Sequence, residues 1–474
     1  MRTAQARKAE PESGEPDYTR HRPEHTLLHR LVEQHYPHLL STLSEQDQSL
    51  PKYVRQEFEE YLKCGRLEQG FLRLRCEACH AEKLVAFSCK RRGFCPSCGV
   101  KRMVESAGLL VDEVLPHEPI RQWVLSVPMP LRFLFAREPK ALSGVLGVVY
   151  RTIAGHLIKQ AKLTRATACT GAVTLIQRFG SALNLNVHLH MLVLDGVYER
   201  SEAGLRFHQV TAPTQTQLHV LLDRLSHRLG RYLAKQGWLV RDEQNNYLAL
   251  NDEPDGLDAL RRHSITYRIA LGKHQGKKAF TLKTLPELPS RSDPHLAQGN
   301  GFSLHAGVWA GANDRKKLEH LCRYITRPAV SNERIELTEC GHVSYRLKTP
   351  YRDGTTHVFF SPIDFMSRLA ALVPKPRVNL TRFHGVFAPN SKVRGEVVKS
   401  RRGRRITLTT TPAEQRRAMS WAQRLKRVFQ VDITQCACGG KLKLLASIED
   451  EASIQLILTH LDRQARGPPL SSPR

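Results

Sequence analysis

The run AVTLIQRFGSALNLNVHLHMLVL, residues 172–194, decides the architecture. Its two halves, Ala172–Phe179 and Leu185–Leu194, have strand character, and Gly180-Ser181-Ala182 separates them. That pattern predicts two antiparallel strands joined as a hairpin. Side chains two apart on a strand share a face. His188 and His190 therefore point to one side, and Leu189 and Met191 to the other. With a turn near Ala182, Gln177 comes roughly opposite His188 on the same face. Two imidazoles and an amide oxygen are part of a coordination sphere for Mg²⁺ or Mn²⁺, with water and phosphate oxygens filling the open positions. Paired histidines on a strand also occur at plain surfaces and interfaces, so the spacing alone leaves both readings open.

Outward from the hairpin, the apolar run Gln122–Val127 reads as a strand stopped by Pro128. Val343–Lys348 and His357–Ser361 read as strands on either side of the turn Arg352-Asp353-Gly354-Thr355. Apolar residues at helical spacing predict short helices between Leu27 and Leu74, and longer ones over Ala141–Leu163, Thr214–Gln236 and Ala312–Ile325. The last is halted by Pro328. The fold class is α+β, an antiparallel sheet flanked by helices. The expected order is a disordered N-terminus (1–25), a helical and zinc-binding domain (26–105), a central domain (118–372) and a basic C-terminal region (373–474).

The chain has 474 residues, with 72 Lys and Arg against 45 Asp and Glu, a net charge of +27. Such a charge points to polyanions, because each cation that neutralises a phosphate releases a condensed counterion. Nucleic acid, a ribosomal surface and an anionic membrane all satisfy it. From Ser391 to Gln430 there are twelve Lys and Arg against Glu396 and Glu414; this is a solvated linker or a phosphate-binding segment. No window approaches eighteen uninterrupted apolar residues, so no membrane span is expected. Met1–Arg20 lacks the apolar core of a secretion signal. A cytoplasmic location follows as the expectation. Eleven cysteines in so long a chain are too sparse for a disulfide scaffold and read as thiols or metal ligands.

Four of them form a pattern. Cys76-Glu-Ala-Cys79 and Cys95-Pro-Ser-Cys98 stand fifteen residues apart. Each pair can present two thiolates to one zinc ion, and the chain between folds back to close a tetrahedron. Cys89 and His80 lie inside the module and could replace one ligand. Lys90, Arg91 and Arg92 give the module a basic face suited to DNA. Cys436-Ala-Cys438-Gly-Gly supplies only two ligands and does not close a site by itself.

Along Asn313–Arg327, Leu318, Leu321 and Ile325 form an apolar face, and His320, Tyr324 and Arg327 form an adjacent stripe. A phenol is a weak nucleophile unless its anion is favoured. Arg323 and Arg327 would favour it and hold a phosphate. A tyrosine near a helix end more often packs its ring and hydrates its hydroxyl.

The combination resembles the rolling-circle transposases of the HUH endonuclease superfamily. It is most similar to the insertion sequence ninety-one family and its single-tyrosine common-region (ISCR) branch. The segments that carry the resemblance are RCEACHAEKLVAFSCKRRGFCPSC, QRFGSALNLNVHLHMLVLDGVY, LCRYITRPAVSNERI, LVPKPRVNLTRFHGVFAPNSK and WAQRLKRVFQVDITQCACGG. It implies an antiparallel palm sheet with the catalytic domain at 118–372. It assigns His188 and His190 to the HUH pair, Gln177 to the upstream His-or-Gln position, and Tyr324 to the nucleophile. The second tyrosine of two-tyrosine members is replaced by His320, which points to one-tyrosine chemistry. The family's usual C-terminal C-x2-C is here C-x-C.

The implied activity is metal-dependent nicking and strand transfer on single-stranded DNA or hairpin ends, through a 5′-phosphotyrosine. Arg377, Arg382 and Lys392 would meet phosphates. Two other readings use the same features: a zinc-dependent DNA-binding regulator without catalysis, and an HUH replication initiator or relaxase.

Overall fold

A computed structural model describes residues 22–398 and 435–466, apart from 203, 243–245, 251–254, 288 and 290–292. Most of the expected disordered N-terminus and most of the basic run after Ser391 lie outside the described residues. Within the former, Pro23–His25 forms one 3-10 turn.

The chain forms two compact units. The smaller joins Cys64–Ser88 to the C-terminal residues, and the larger joins Glu24–Lys63 to the long segment that begins at Cys89. This departs from the expected succession of domains at 26–105, 118–372 and 373–474. The cause is a β-ladder. Strand Leu442–Ile448 runs antiparallel beside Phe71–Cys76, with Cys76 opposite Leu442, so the chain's end belongs with residues near its start. Glu82–Ala86 pairs on the other edge, making three strands. A helix, Glu451–Arg466, follows.

The larger unit is built on a six-stranded antiparallel sheet. Its spatial order is Leu296–Gly299, Phe302–Ala310, Ile120–Ser126, Leu185–Leu194, Gly171–Phe179 and Thr381–Gly385. The expected hairpin thus occupies the middle. Its second strand is buried on both faces beyond His188, which is why it reads as a nearly continuous apolar run. On one face Leu192 and Leu194, with Val173 and Leu175 beside them, pack against Leu318, Leu321 and Ile325 of the helix Arg315–Thr326. His188 and His190 continue that same alternating row. The sheet periodicity therefore sets the histidines on the face that the tyrosine helix covers.

The flanking helices follow their sequence signals. Gln215–Lys235 starts with a capping box, in which Thr214 and Gln217 each accept from the other's backbone N–H, and buries Leu218, Leu221, Leu222, Leu225 and Leu229. Pro139–Gln160 is long and apolar enough to cross a membrane by length and composition. It is largely buried instead, with Leu142, Val145, Val149, Ile153 and Leu157 in the protein interior.

A buried ion pair fixes the centre of the sheet. Arg121 donates from Nε and Nη2 to the two carboxylate oxygens of Asp195, both at 2.7 Å. Asp195 sits between the strands Leu185–Leu194 and Gly196–Ser201. Arg121 also donates to the Ala306 carbonyl at 3.0 Å, so one guanidinium touches three strands' worth of chain.

Candidate functional site

Gln177 stands directly across the ladder from His188, and Leu175 across from His190. Opposed residues of an antiparallel pair share a face, so the expected trio gathers on one side of the sheet. The two imidazole centroids are 4.9 Å apart. His188 donates from Nδ1 to the Asn186 carbonyl at 2.9 Å, which leaves Nε2 with its lone pair. His190 Nδ1 lies 2.7 Å from the Gln122 side-chain amide. The Gln122 amide nitrogen faces Nδ1 and donates to it; the same amide reversed, its oxygen accepting from Nδ1–H, would free the Nε2 lone pair for a cation. That nitrogen is buried and has no hydrogen-bond partner. Burial pushes His188 down to about 4 and His190 down to about 2, with Arg327 adding to both. Both rings are therefore neutral near pH 7, as metal ligation requires. The donor set of two imidazole nitrogens and an amide oxygen fits a divalent cation.

The tyrosine helix is Arg315–Thr326, capped by the Asp314 side chain, which accepts from the Lys317 N–H at 3.2 Å. It meets the sheet through Gln177, whose side-chain amide donates to the Ile325 carbonyl at 3.0 Å. The residue next to the phenol is thus bonded to the residue opposite His188. Tyr324 itself is 45% exposed. Arg327 departs from the expected helical stripe. Its backbone is extended (φ −55°, ψ 153°) because Pro328 follows. The side chain folds back instead. Its guanidinium lies 4.3 Å from the Tyr324 ring centroid and 5.4 Å from that of Phe179, and it donates to the Tyr324 carbonyl at 2.8 Å. Lys348, given no role in the sequence reading, has its ammonium 4.4 Å from the centroid of the same phenol ring. Arg323 turns to His320, 3.1 Å away.

Beside this trio is a cleft lined by Arg92, Arg102, Gln177, Arg178, Phe179 and Arg327, among others. Four guanidinium groups on one concavity make a strongly positive wall. Arg178 is buried deeply enough for its pKa to fall to about 10, and its Nη2 has no partner. Arg178 carries no local sequence signal; only the fold brings it here, whereas Arg102 belongs to the basic face of the cysteine module. Gln122 was equally hidden, being one polar residue in an apolar strand.

The cysteines divide differently from the expected single site of Cys76, Cys79, Cys95 and Cys98. In the smaller unit, Cys76 and Cys79 meet Cys436 and Cys438, all four sulfurs lying within 4.8 Å of one another. Backbone N–H groups in the turn at Cys79 pull the Cys76 thiol down to about 6. In the larger unit, Cys95 and Cys98 lie at the start of the helix Pro96–Leu109 and gather with Cys89, whose sulfur is 3.4 Å from that of Cys98. Cys89 is thus drawn in, whereas His80 is exposed at a left-handed backbone position. The ladder that delivers the C-terminal strand is the physical reason for the split.

Comparison with known proteins gives a consistent result. Residues 31–127 match the family described as "Transposase zinc-binding domain", and residues 171–394 match the family described as "Putative transposase". The chain is 23% identical over 397 residues to the transposase for insertion sequence element IS801 of Pseudomonas savastanoi pv. phaseolicola, covering 82% of each chain. The chain belongs to the IS91-family transposases. It has their zinc-binding domain toward the N-terminus, and it is a DNA-processing enzyme. A stretch of 108 residues is also 30% identical to spectrin beta chain, non-erythrocytic 4, of Homo sapiens, over 23% of this chain and 4% of that one. No solved structure matches.

The transposase places its expected DNA-contacting cations unevenly. Lys90, Arg377 and Lys392 are exposed, and Arg91 is half-buried. Arg92 reaches inward, donating to the carbonyls of Val378 and Lys375. Arg382 is half-buried, on the edge strand Thr381–Gly385. Phe387 is fully buried in the core and Phe383 packs against it, so neither ring is offered to a base.

Proposed function

We propose that this transposase cuts and rejoins single-stranded DNA, or hairpin element ends, by rolling-circle chemistry through Tyr324. His188, His190 and Gln177 would hold Mg²⁺ or Mn²⁺. The ion, when bound, supplies Lewis-acid stabilisation of the charge developing on the scissile phosphate. Tyr324 Oη attacks phosphorus in line, the P–O3′ bond breaks, and the phenol's proton balances the departing 3′-hydroxyl. The product is a 5′-phosphotyrosine, which conserves the phosphodiester energy for rejoining. Arg327, stacked on the phenol ring, is placed to pair with a phosphate oxygen. The Gln177 amide spends its N–H on Ile325 and keeps its carbonyl oxygen for a cation. His320, where a second tyrosine would stand, supports a single-nucleophile scheme. The basic cleft of Arg92, Arg102, Arg178 and Arg327 supports a polyanionic substrate. A role on genomic DNA places the protein in the bacterial cytoplasm, at the nucleoid when bound.

The carrying observation is the Gln177–Ile325 hydrogen bond, which draws the tyrosine helix onto the histidine face of the sheet. The test is incubation with labelled single-stranded element-end DNA and Mn²⁺, read as a covalent adduct on a denaturing gel. The wild type should form the adduct and Tyr324→Phe should not. An adduct that survives Tyr324→Phe overturns the assignment. No adduct with wild-type protein that still binds the DNA favours a regulator without catalysis.

A further inference from the structure

The sequence leaves Cys436 and Cys438 without purpose, since two thiols do not close a metal site. We infer that Cys76, Cys79, Cys436 and Cys438 together hold one zinc ion, making the C-terminal segment a structural half of the zinc module. The sulfurs of Cys76 and Cys438 are 3.5 Å apart, and those of Cys79 and Cys436 are 3.6 Å apart. Four thiolates about 2.3 Å from a central zinc stand about 3.8 Å from one another in a tetrahedron. The observed spacing is close to that value. It is far from the bonded distance of about 2.05 Å of a disulfide, and all four cysteines are free.

The backbone is built around the cluster. The Glu77 N–H donates to the Lys441 carbonyl at 3.0 Å, and the Cys436 N–H to the Gly440 carbonyl at 2.8 Å. Gln435 and Lys441 bridge, closing the C-terminal loop on itself. The Gly440 N–H points at the Cys438 sulfur, 3.4 Å away. The two glycines after Cys438 now have a reason. Gly439 has φ +82°, which side chains other than glycine's rarely adopt. A Cβ at Gly440 would lie 2.5 Å from the Cys76 sulfur. The glycine pair lets the two loops close to within thiolate range. Four soft donors, brought together from opposite ends of the chain with backbone fitted to them, are a ligand set for zinc rather than a chance grouping of thiols.

This deepens the zinc-binding assignment and is independent of the nuclease reading; loss of the Tyr324 adduct would leave it untouched. The test uses the full chain, expressed with zinc, and metal content per protein. C76S/C79S and C436S/C438S should each lose one equivalent, and the quadruple variant should lose the same one equivalent, not two. Wild-type zinc content in C436S/C438S overturns the inference. A second measurement needs no variant. In zinc-loaded wild type, alkylation followed by mass spectrometry should spare Cys76, Cys79, Cys436 and Cys438, and a chelator should expose all four together. Labelling of Cys436 and Cys438 at the rate of the exposed Cys340, before chelation, overturns it.

Discussion

Gln177 donates its side-chain N–H to the carbonyl of Ile325 at 3.0 Å, and its backbone sits opposite His188 in the ladder. One side chain therefore ties the histidine-bearing face of the sheet to the helix turn that carries Tyr324. Gln177→Ala removes the tie and, on the proposed mechanism, a cation ligand. Its stability cost is set by one net hydrogen bond, about 1 kcal/mol. Nicking should fall at least tenfold, a loss larger than the small drop in the denaturation midpoint could produce. Gln177→His should recover metal-dependent nicking better than Gln177→Ala, because an imidazole can replace the oxygen donor.

Gln122 supports His190 from the neighbouring strand, 2.7 Å from Nδ1. Residues that orient a ligating histidine are worth about 10–100-fold in metal affinity. Gln122→Leu should raise the Mn²⁺ concentration needed for half-maximal nicking by about that factor. The maximal rate at saturating Mn²⁺ should change less. A titration of activity against Mn²⁺ separates the two.

Arg121 and Asp195 are both buried, with side chains 6% and 3% exposed. Breaking such a pair leaves an uncompensated charge and costs about 3–5 kcal/mol. Asp195→Ala should lower the urea midpoint by that free energy. The double variant Arg121→Met with Asp195→Ala should recover most of it, since no lone charge remains. Chemical denaturation of the three proteins measures the difference.

His384 stacks on Tyr150, with ring centroids 5.1 Å apart, and its Nε2 is buried without a partner. Burial lowers its pKa to about 4, and the charge of Arg382 adds to the shift. The unfolded chain takes up a proton at this site near pH 6.5, while the folded chain resists until about pH 4. Its contribution to stability therefore declines as pH falls from 6.5 to 4 and is constant above that window. His384→Phe should flatten this part of the stability profile. Urea midpoints between pH 4 and 7 provide the check.

The parts legible in the sequence were those fixed by local spacing. The hairpin register followed from alternation and the position of the turn, which put Gln177 opposite His188. The helix around Tyr324 followed from the apolar stripe and Pro328; its Asp314 cap did not. What stayed hidden depended on closure between distant segments. Gln122 looks like an ordinary strand residue until Ile120–Ser126 is laid beside Leu185–Leu194. Arg178 comes to line a cleft with Arg92 and Arg327 only when elements far apart in sequence are brought together. The cysteine spacing suggested that the nearest two pairs would share an ion. The ladder between Phe71–Cys76 and Leu442–Ile448 redirected one pair to partners near the chain's other end. Arg327 was read as helical because periodicity was extended one residue past the point where Pro328 permits it.

That ladder also sets a schedule for biosynthesis. The strand Phe71–Cys76 is translated before the strands of the large sheet, and its companion Leu442–Ile448 after them. Every other described strand is translated before this small sheet can acquire its third member. A chain broken before Leu442 has the described strands of the large unit but leaves the Phe71–Cys76 edge of the small sheet unpaired. An unpaired strand of this kind presents a row of backbone N–H and C=O groups with no partner.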